Sequence, residues 1–327
     1  MLSYRIRKTL RQVDVMNNDC TLNIVAIGAT HERYEQQLCK TGHNFFSVRH
    51  GKEWDLNCGA VPSNYHIVDY IPNNIMPDLI ITHVSGERLD IAQEYAGFFG
   101  VNVIRHTHTL PENEYELQVF RSQHANINTF ISGYSKAAWN LQDQESLVVE
   151  HGLDADIFCD KQMERENSVL SVVNLWADRD WACGWNLYNS IKSLDTGIKY
   201  VVYGNNNGLS RPAKDLDELV NAYNKSSIFL NTSQFSPVPM AMLEAMSCGC
   251  AIVSTNNCMI PEIIKHGYNG LLANSPEELH YHIKTLQNNP QMARQMGLNA
   301  RQTIIENYNI RKFCNTWNDI FRKTILL

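Results

Sequence analysis

Apolar positions along this chain alternate between two rhythms. Short β-prone runs are followed by longer stretches whose apolar residues recur every three or four positions. In the first half the runs Leu22–Ile27, Asn44–Val48, Ile67–Tyr70, Leu79–Thr82 and Val101–Ile104 predict strands. In the second half Leu170–Val173, Tyr200–Tyr203, Ile228–Leu230 and Ala251–Ser254 do the same. Helical spacing appears after the first strand as far as Lys40, over Leu89–Phe99, and in the face made by Leu216, Leu219, Val220 and Tyr223. Ser275 and Glu278 form a capping box at one helix start, and Pro290 opens another helix. A last stripe, Ile310, Phe313, Trp317, Ile320 and Phe321, predicts an amphipathic terminal helix. Strands alternating with helices predict an α/β fold with parallel sheets.

The densest punctuation lies between Ile228 and Ala273. Its first strand breaks into a polar loop holding Pro237 and Pro239, and Pro239 suits the start of a helix, where a missing N–H costs nothing. Met240, Leu243 and Met246 follow at helical spacing, and Gly249 is placed to end the helix in a left-handed cap. After Ala251–Ser254 comes a second proline-led helix, Pro261 to His266, stopped by Gly267. Both loops fall on the carboxyl edge of a parallel sheet, where α/β proteins bind ligands. A helix beginning at Met240 presents unpaired N–H groups and its positive dipole end to Ser236-Pro237-Val238-Pro239, a natural seat for phosphate. Glu244 lies about one turn in, where its carboxylate can accept hydrogen bonds from ribose or sugar hydroxyls. The competing reading of Glu244 is a solvated helix residue.

The residues Leu243-Glu244-Ala245-Met246, Cys248-Gly249, Pro261-Glu262-Ile263-Ile264, Gly267 and Asn269-Gly270-Leu271 together resemble the nucleotide-binding signature of the retaining GT-B glycosyltransferases of family 4, group 1 type. The resemblance implies two Rossmann-like domains facing a cleft, with a C-terminal helix crossing back to the first. It implies domains at 1–153 (acceptor side), 154–308 (nucleotide-sugar) and 309–327 (the returning helix). In the family the glutamate matching Glu244 binds the donor ribose, and the loop matching Ser236, Pro237, Val238, Pro239, Met240 and Ala241 holds sugar and diphosphate. The family usually carries a second glutamate where this chain has Ser236. It also places an arginine and a lysine in the loop after the first strand of the second domain. Here that loop, from Asn174 to Trp185, offers Arg179 between Asp178 and Asp180. Arg179 is therefore either the cation that neutralises the leaving diphosphate, helped by Asn174, or a surface arginine paired with those aspartates. Tyr203 and the glycine-rich turn from Gly204 correspond to the family's seat for the base. Ser132 to Lys136 matches an S-x-x-S strand-to-helix turn, and Val148 to Asp154 followed by Phe158 marks the domain junction.

In the first half, Gly28 ends the first strand without a G-x-G-x-x-G around it, and the resemblance sets that loop against the acceptor. Arg105-His106-Thr107-His108-Thr109-Leu110-Pro111 closes the fifth strand. The family's strand-end histidine before a proline faces the donor sugar, and His108 fits that place better than His106. Two partly exposed loop histidines are the plainer reading. His83, His106 and His108 are possible bases, and Glu32 is a carboxylate on the acceptor side.

The composition is 44% hydrophobic and 19% charged, which is globular, and the net charge of −6 gives no general pull toward nucleic acid or anionic membrane. The nine cysteines show no disulfide or zinc spacing and are expected to be reduced thiols of a cytoplasmic protein, host cytoplasm if viral. No apolar run approaches the ~18 residues of a membrane span. The basic opening stretch, with Arg5, Arg7, Lys8 and Arg11, reads as a terminal extension or as an amphipathic helix touching a membrane or a polyanion. The resulting expectation is a metal-independent, cofactor-free glycosyltransferase. It takes a nucleoside-diphosphate sugar as donor and a hydroxyl of a glycan, or of a hydroxylated base in viral DNA, as acceptor. A non-catalytic nucleotide-sugar-binding protein and a nucleotide-sugar epimerase of the same fold remain open alternatives.

Overall fold

The computed structural model describes residues 20–28, 32–49, 53–83 and 86–327. The basic opening stretch, the residues just after Gly28 and Lys52 lie outside these. The chain divides into two compact units, Met1–His151 with Arg311–Leu327, and Gly152–Ile310.

The first unit is built on an all-parallel sheet in the order β3-β2-β1-β4-β5-β6-β7. Its strands are β1 (Asn23–Ile27), β2 (Asn44–Val48), β3 (Tyr65–Val68), β4 (Leu79–Thr82), β5 (Asn102–Thr107), β6 (Ile127–Phe130) and β7 (Ser146–Val148). Covered on both faces, central strands must be apolar throughout, and β4 is buried at every position. Helix α1 (Glu32–Cys39) follows β1, and α2 (Glu87–Phe99) follows β4 and packs with Leu89, Ala92 and Ala96 on the sheet. Helices α3 (Glu114–Ser122) and α4 (Gly133–Trp139) flank β6. Ser132 caps α4, accepting from the Ser135 N–H at 2.9 Å. The terminal helix, which belongs to this unit from Arg311, is described below.

β3 begins two residues earlier than the hydrophobic pattern indicates. Its register pairs Tyr65 with Phe45 and Val68 with Val48, so pairing ends where β2 ends. Tyr65 is buried against Arg49, to whose guanidinium its hydroxyl is bonded at 3.0 Å, whereas Ile67 and Tyr70 are exposed on this edge.

The second unit carries a parallel sheet in the order β12-β11-β10-β8-β9. Its strands are β8 (Glu166–Val172), β9 (Lys199–Tyr203), β10 (Ser226–Asn231), β11 (Ala251–Ser254) and β12 (Leu271–Leu272). Helices α5 (Asp180–Cys183) and α6 (Trp185–Leu194) lie between β8 and β9, and α7 (Leu216–Lys225) precedes β10. Helix α8 (Met240–Ser247) joins β10 to β11, α9 (Ile260–Ile263) follows β11, and α10 (Pro276–Asn288) and α11 (Pro290–Asn307) close the unit. Gly249 takes φ 80° after α8, the left-handed turn its position demands. Helix α9 stops three residues short of the expected His266, because the buried Asn269 intercepts it. Its side chain accepts from the Lys265 N–H at 2.7 Å and donates to the Ile263 carbonyl at 3.0 Å.

Helix α12 (Ile310–Leu326) packs on the first unit. It buries Phe313, Trp317, Ile320 and Phe321 of the stripe visible in the sequence, and Ile310 at its start is only half-buried. Trp317 Nε1 donates to Tyr34 Oη at 3.1 Å, and Asn102 donates to the Thr324 carbonyl at 2.7 Å. Among the described residues no helix is long and apolar enough to cross a membrane. The cysteines with described surroundings are all thiols.

Candidate functional site

The loops after β8, β9, β10 and β11 leave the carboxyl edge of the second unit's sheet. The first two are stapled together. Asn174 Oδ1 accepts from the Asn205 N–H at 2.8 Å, Asn206 Nδ2 donates to the Val173 carbonyl at 2.7 Å, and Asn206 Oδ1 accepts from the Trp176 N–H at 2.7 Å. Gly204 makes the approach possible: its φ is 132°, and a Cβ there would stand 1.8 Å from the Val173 carbonyl oxygen. Tyr203 directs its hydroxyl to Glu218 at 3.3 Å. The loop after β10 is tied to α5, with the Gln234 and Phe235 N–H groups both donating to the Ala182 carbonyl, at 2.8 and 3.1 Å.

That loop delivers the chain through half-buried Ser236 and Pro237 and buried Val238 to Pro239, the N-cap of α8. No side chain caps this helix. The first amides bonded back into it are those of Met242 and Leu243, both to the Pro239 carbonyl, so the N–H groups of Met240 and Ala241 have no partner within the helix. They and the dipole end turn partial positive charge toward the loop. One turn on, Glu244 is fully buried, and its Oε2 accepts the Tyr223 hydroxyl at 2.7 Å. It is therefore no solvated helix residue.

Arg179 is exposed at the N-cap of α5 and forms no ion pair with any described residue. The alternative of a pairing with the flanking aspartates is not realised, and Asp180 is engaged elsewhere, accepting from the backbone N–H and the side-chain amide of Asn186 at 2.7 and 2.5 Å. A cavity of about 370 Å³ in the same unit lies at the opposite, amino edge of the sheet, lined by Gln162, Asn167, Ser227, Arg165 and Arg294 among others. Its arginines are already engaged, Arg294 with Asp160 at 2.8 Å and Arg165 with the carbonyls of Tyr223 and Ser226.

At the carboxyl edge of the first unit's sheet, imidazoles from three strand ends meet around Tyr34 of α1. His83 follows β4, His106 lies within β5, His108 follows it, and His151 comes after β7. The ring of Tyr34 is 5.2 Å from His106, 4.4 Å from His108, 5.5 Å from His151 and 6.4 Å from His83. His106 is fully buried inside its strand, with Nδ1 on Thr129 Oγ1 at 2.7 Å, whereas His108 is half-buried beyond the strand end. His83 Nε2 lies 3.9 Å from Glu35 Oε1. Among the described residues no three His, Cys, Asp or Glu side chains are arranged to hold a metal ion. Gly28 closes β1 with φ 77°, and the Arg88 side chain lies over it, within 2.9 Å of where a Cβ would be. Glu32 is bound to Arg49 at 3.2 Å.

Residues 190–303 match the family model of the glycosyl transferases, group 1. This group 1 region takes in β9 to β12, with α8 and Glu244 near its middle. An uncharacterized glycosyltransferase of Methanocaldococcus jannaschii is 32% identical over 124 residues, covering 37% of this chain and 32% of that one. The alpha-maltose-1-phosphate synthase of Mycolicibacterium smegmatis is 29% identical over 120 residues, 34% of this chain and 30% of its own. The matches thus span about a third of the length of these curated relatives. Among solved structures, Anabaena HepE in complex with UDP-glucose superposes with a TM-score of 0.74 at 12% identity, over 92% of this chain and 100% of that one. Sucrose-phosphate synthase from Thermosynechococcus elongatus gives 0.69 at 14% identity, over 92% and 98%. The fold is that of the GT-B glycosyltransferases, with two Rossmann-like domains.

Ser236 to Ala241 and Glu244 share one helix start, as their spacing in the sequence indicates, whereas the structure brings Asn174 to Tyr203 and Gly204 in one stapled pair of loops. Asn174 and Tyr203 are both bonded within the protein, to Asn205 and Glu218. The partnership of Tyr223 with Glu244, and the joining of Tyr34 and His151 to the histidines, had no local signal. Burial holds His83 below the usual imidazole range, with Arg88 and Arg49 adding to the effect and Glu35 opposing it. Burial, with His83 and His151 nearby, holds His106 well below that range against its bond to Thr129. Burial therefore favours the neutral form of both imidazoles in the folded protein, while both titrate near 6.5 when unfolded. Their contribution is complete above that value and is lost as pH falls below it toward the folded values. The expected loss approaches about 1.4 kcal/mol per pH unit for His106, the more strongly lowered of the two. Urea unfolding of the first unit between pH 7 and 5.5 reads this: the midpoint should fall with pH, and His106→Gln should flatten the slope. A wild-type midpoint independent of pH contradicts the buried, neutral cluster.

Proposed function

We propose that the protein is a retaining glycosyltransferase that moves a sugar from a nucleoside-diphosphate sugar to a hydroxyl of a glycan or of a hydroxylated DNA base, in the cytoplasm. The observation that carries this reading is the start of α8, where uncapped N–H groups stand one turn before a buried carboxylate inside the group 1 region. Such a start binds a diphosphate, and the carboxylate binds a ribose diol. The Gly204 turn takes the base beside Tyr203, with Asn174 holding that turn in place. The solved neighbours crystallised with UDP and UDP-glucose support a donor of this class.

Bond cleavage places growing negative charge on the leaving diphosphate. The α8 amides and Arg179, the exposed cation of its loop, stabilise that charge. The acceptor hydroxyl attacks on the face the diphosphate leaves, and the departing phosphate oxygen takes its proton. His108 contacts the transferred sugar, and Gly28 borders the acceptor. Arg179→Ala is then expected to lower kcat by roughly ten- to a hundredfold while changing donor affinity far less, because the interaction strengthens toward the transition state. Steady-state kinetics with the accepted donor, with and without chelator, test this. The reading expects chelator to leave turnover intact. Equal losses in kcat and affinity, or activity restored only by manganese, would overturn these roles.

One observation favours a second reading, a donor-binding protein without turnover. Ser236 replaces a carboxylate, and Arg179 is the only cation of the loop from Asn174 to Trp185. Tight donor binding with neither transfer nor hydrolysis across acceptors would select it.

A further inference from the structure

We infer that Tyr34, His106 and Trp317 are positioning residues that fix the ring of His108, so that the terminal helix sets the geometry of the sugar-facing histidine. The inference rests on the proposal that His108 contacts the transferred sugar. Tyr34 and His106 are stacked, 5.2 Å apart at 21°, and form one wall. His108 stands edge-on to both members, 4.4 Å from Tyr34 at 85° and 4.2 Å from His106 at 84°. His151 lies parallel to it on another side, 6.2 Å away at 23°. Rings in edge contact with two stacked partners have little freedom to turn about their side-chain bonds.

The wall is itself held. Trp317 Nε1 donates to Tyr34 Oη at 3.1 Å, and the indole lies 5.0 Å from His106 at 77°. Phe313, one turn earlier on α12, packs on Tyr34 at 5.6 Å. On the other side His106 Nδ1 is fixed by Thr129 of β6. Tyr34, His106 and Trp317 are almost wholly buried, and their ring contacts run to His108 and to one another, so each acts through its neighbour. A side chain 283 positions from Tyr34 thus reaches His108 through a single intermediate ring.

Two measurements test this. The first needs no reaction: the His108 ring-proton resonances of the substrate-free protein, shifted by the adjacent rings, should move in Tyr34→Leu and in Trp317→Phe. The second is kinetic. Tyr34→Leu should lower kcat roughly ten- to a hundredfold, the cost of a small misplacement at the reacting centre. The donor KM should stay within about twofold, and Tyr34→Phe, which keeps the ring, should recover most of the loss. In a His108→Ala background, Tyr34→Leu should cost nothing more, since its route to the sugar is gone. Unmoved His108 resonances in both variants would overturn the inference whatever the protein catalyses. So would an undiminished kcat loss in the His108→Ala background. Moved resonances in a protein that transfers no sugar would support the positioning and refute the proposed reaction instead. Should Tyr34→Leu fail to fold, Trp317→Phe carries both readouts, alone and in the His108→Ala background.

Discussion

Replacing Glu244 by alanine is expected to weaken nucleoside-diphosphate binding ten- to a hundredfold and also to destabilise the second unit. The affinity loss is that of one hydrogen bond to a charged group, roughly 1.5–3 kcal/mol. The stability loss follows from burial. Glu244 is wholly enclosed and accepts the Tyr223 hydroxyl at 2.7 Å, so truncation removes that acceptor from a buried donor. Such a removal costs about 1–3 kcal/mol. From sequence alone, Glu244 reads as a substitution with little effect on folding, and the structure revises this. Tyr223→Phe separates the two effects, since it removes the hydroxyl and leaves the carboxylate. It should share part of the stability change and retain most of the affinity. Calorimetric titration with UDP and GDP, beside urea unfolding of each variant, reads both quantities. Unchanged nucleotide affinity in a folded Glu244→Ala protein would remove Glu244 from the donor site.

Gly204→Ala is expected to damage the fold of the donor loops far more than Gly208→Ala. Its backbone lies at φ 132°, and the new methyl carbon would sit 1.8 Å from the Val173 oxygen and 2.6 Å from its carbonyl carbon. Backbone strain of about 1–3 kcal/mol adds to a similar cost for forcing an atom into packed space. The loop must separate from its neighbour, breaking the bonds through Asn174 and Asn206 that shape the seat assigned to the base. Donor affinity should fall with stability. Gly208, at φ 74° with nothing within 4 Å of its missing Cβ, is the control. Gly208→Ala carries the conformational cost alone, about 1–2 kcal/mol. Equal urea midpoints for the two variants would contradict the close approach.

Much of this was legible because it is local. Met240, Leu243 and Met246 at helical spacing, a proline before them and Gly249 after them place α8 without reference to any other part of the chain. The serine cap of α10, whose Oγ accepts from the Glu278 N–H at 3.2 Å, was legible for the same reason. Local period could not place β3, whose limits are set by where β2 ends, nor the end of α9, set by a side chain beyond it. The site divides the same way. Its backbone parts, the α8 start and the Gly204 turn, are written in punctuation. Its side-chain partnerships, Tyr223 with Glu244 and Trp317 with Tyr34, join residues 21 and 283 positions apart and leave no periodic trace. Arg179 shows the intermediate case. The aspartates on either side suggested an ion pair, and only the structure shows Asp180 bound to Asn186 instead.

The central claim, transfer of a sugar from a nucleoside-diphosphate donor with its anomeric configuration kept, is tested most directly on the product itself. Donors that stabilise the protein against heat should be incubated with hydroxyl acceptors, glycan and hydroxymethylated DNA in parallel, and the isolated product examined by proton NMR. The expected result is release of the nucleoside diphosphate and an α-linked product from an α-linked donor, read from the anomeric coupling. A β-linked product from that donor, or a bound donor that is never transferred, would contradict it.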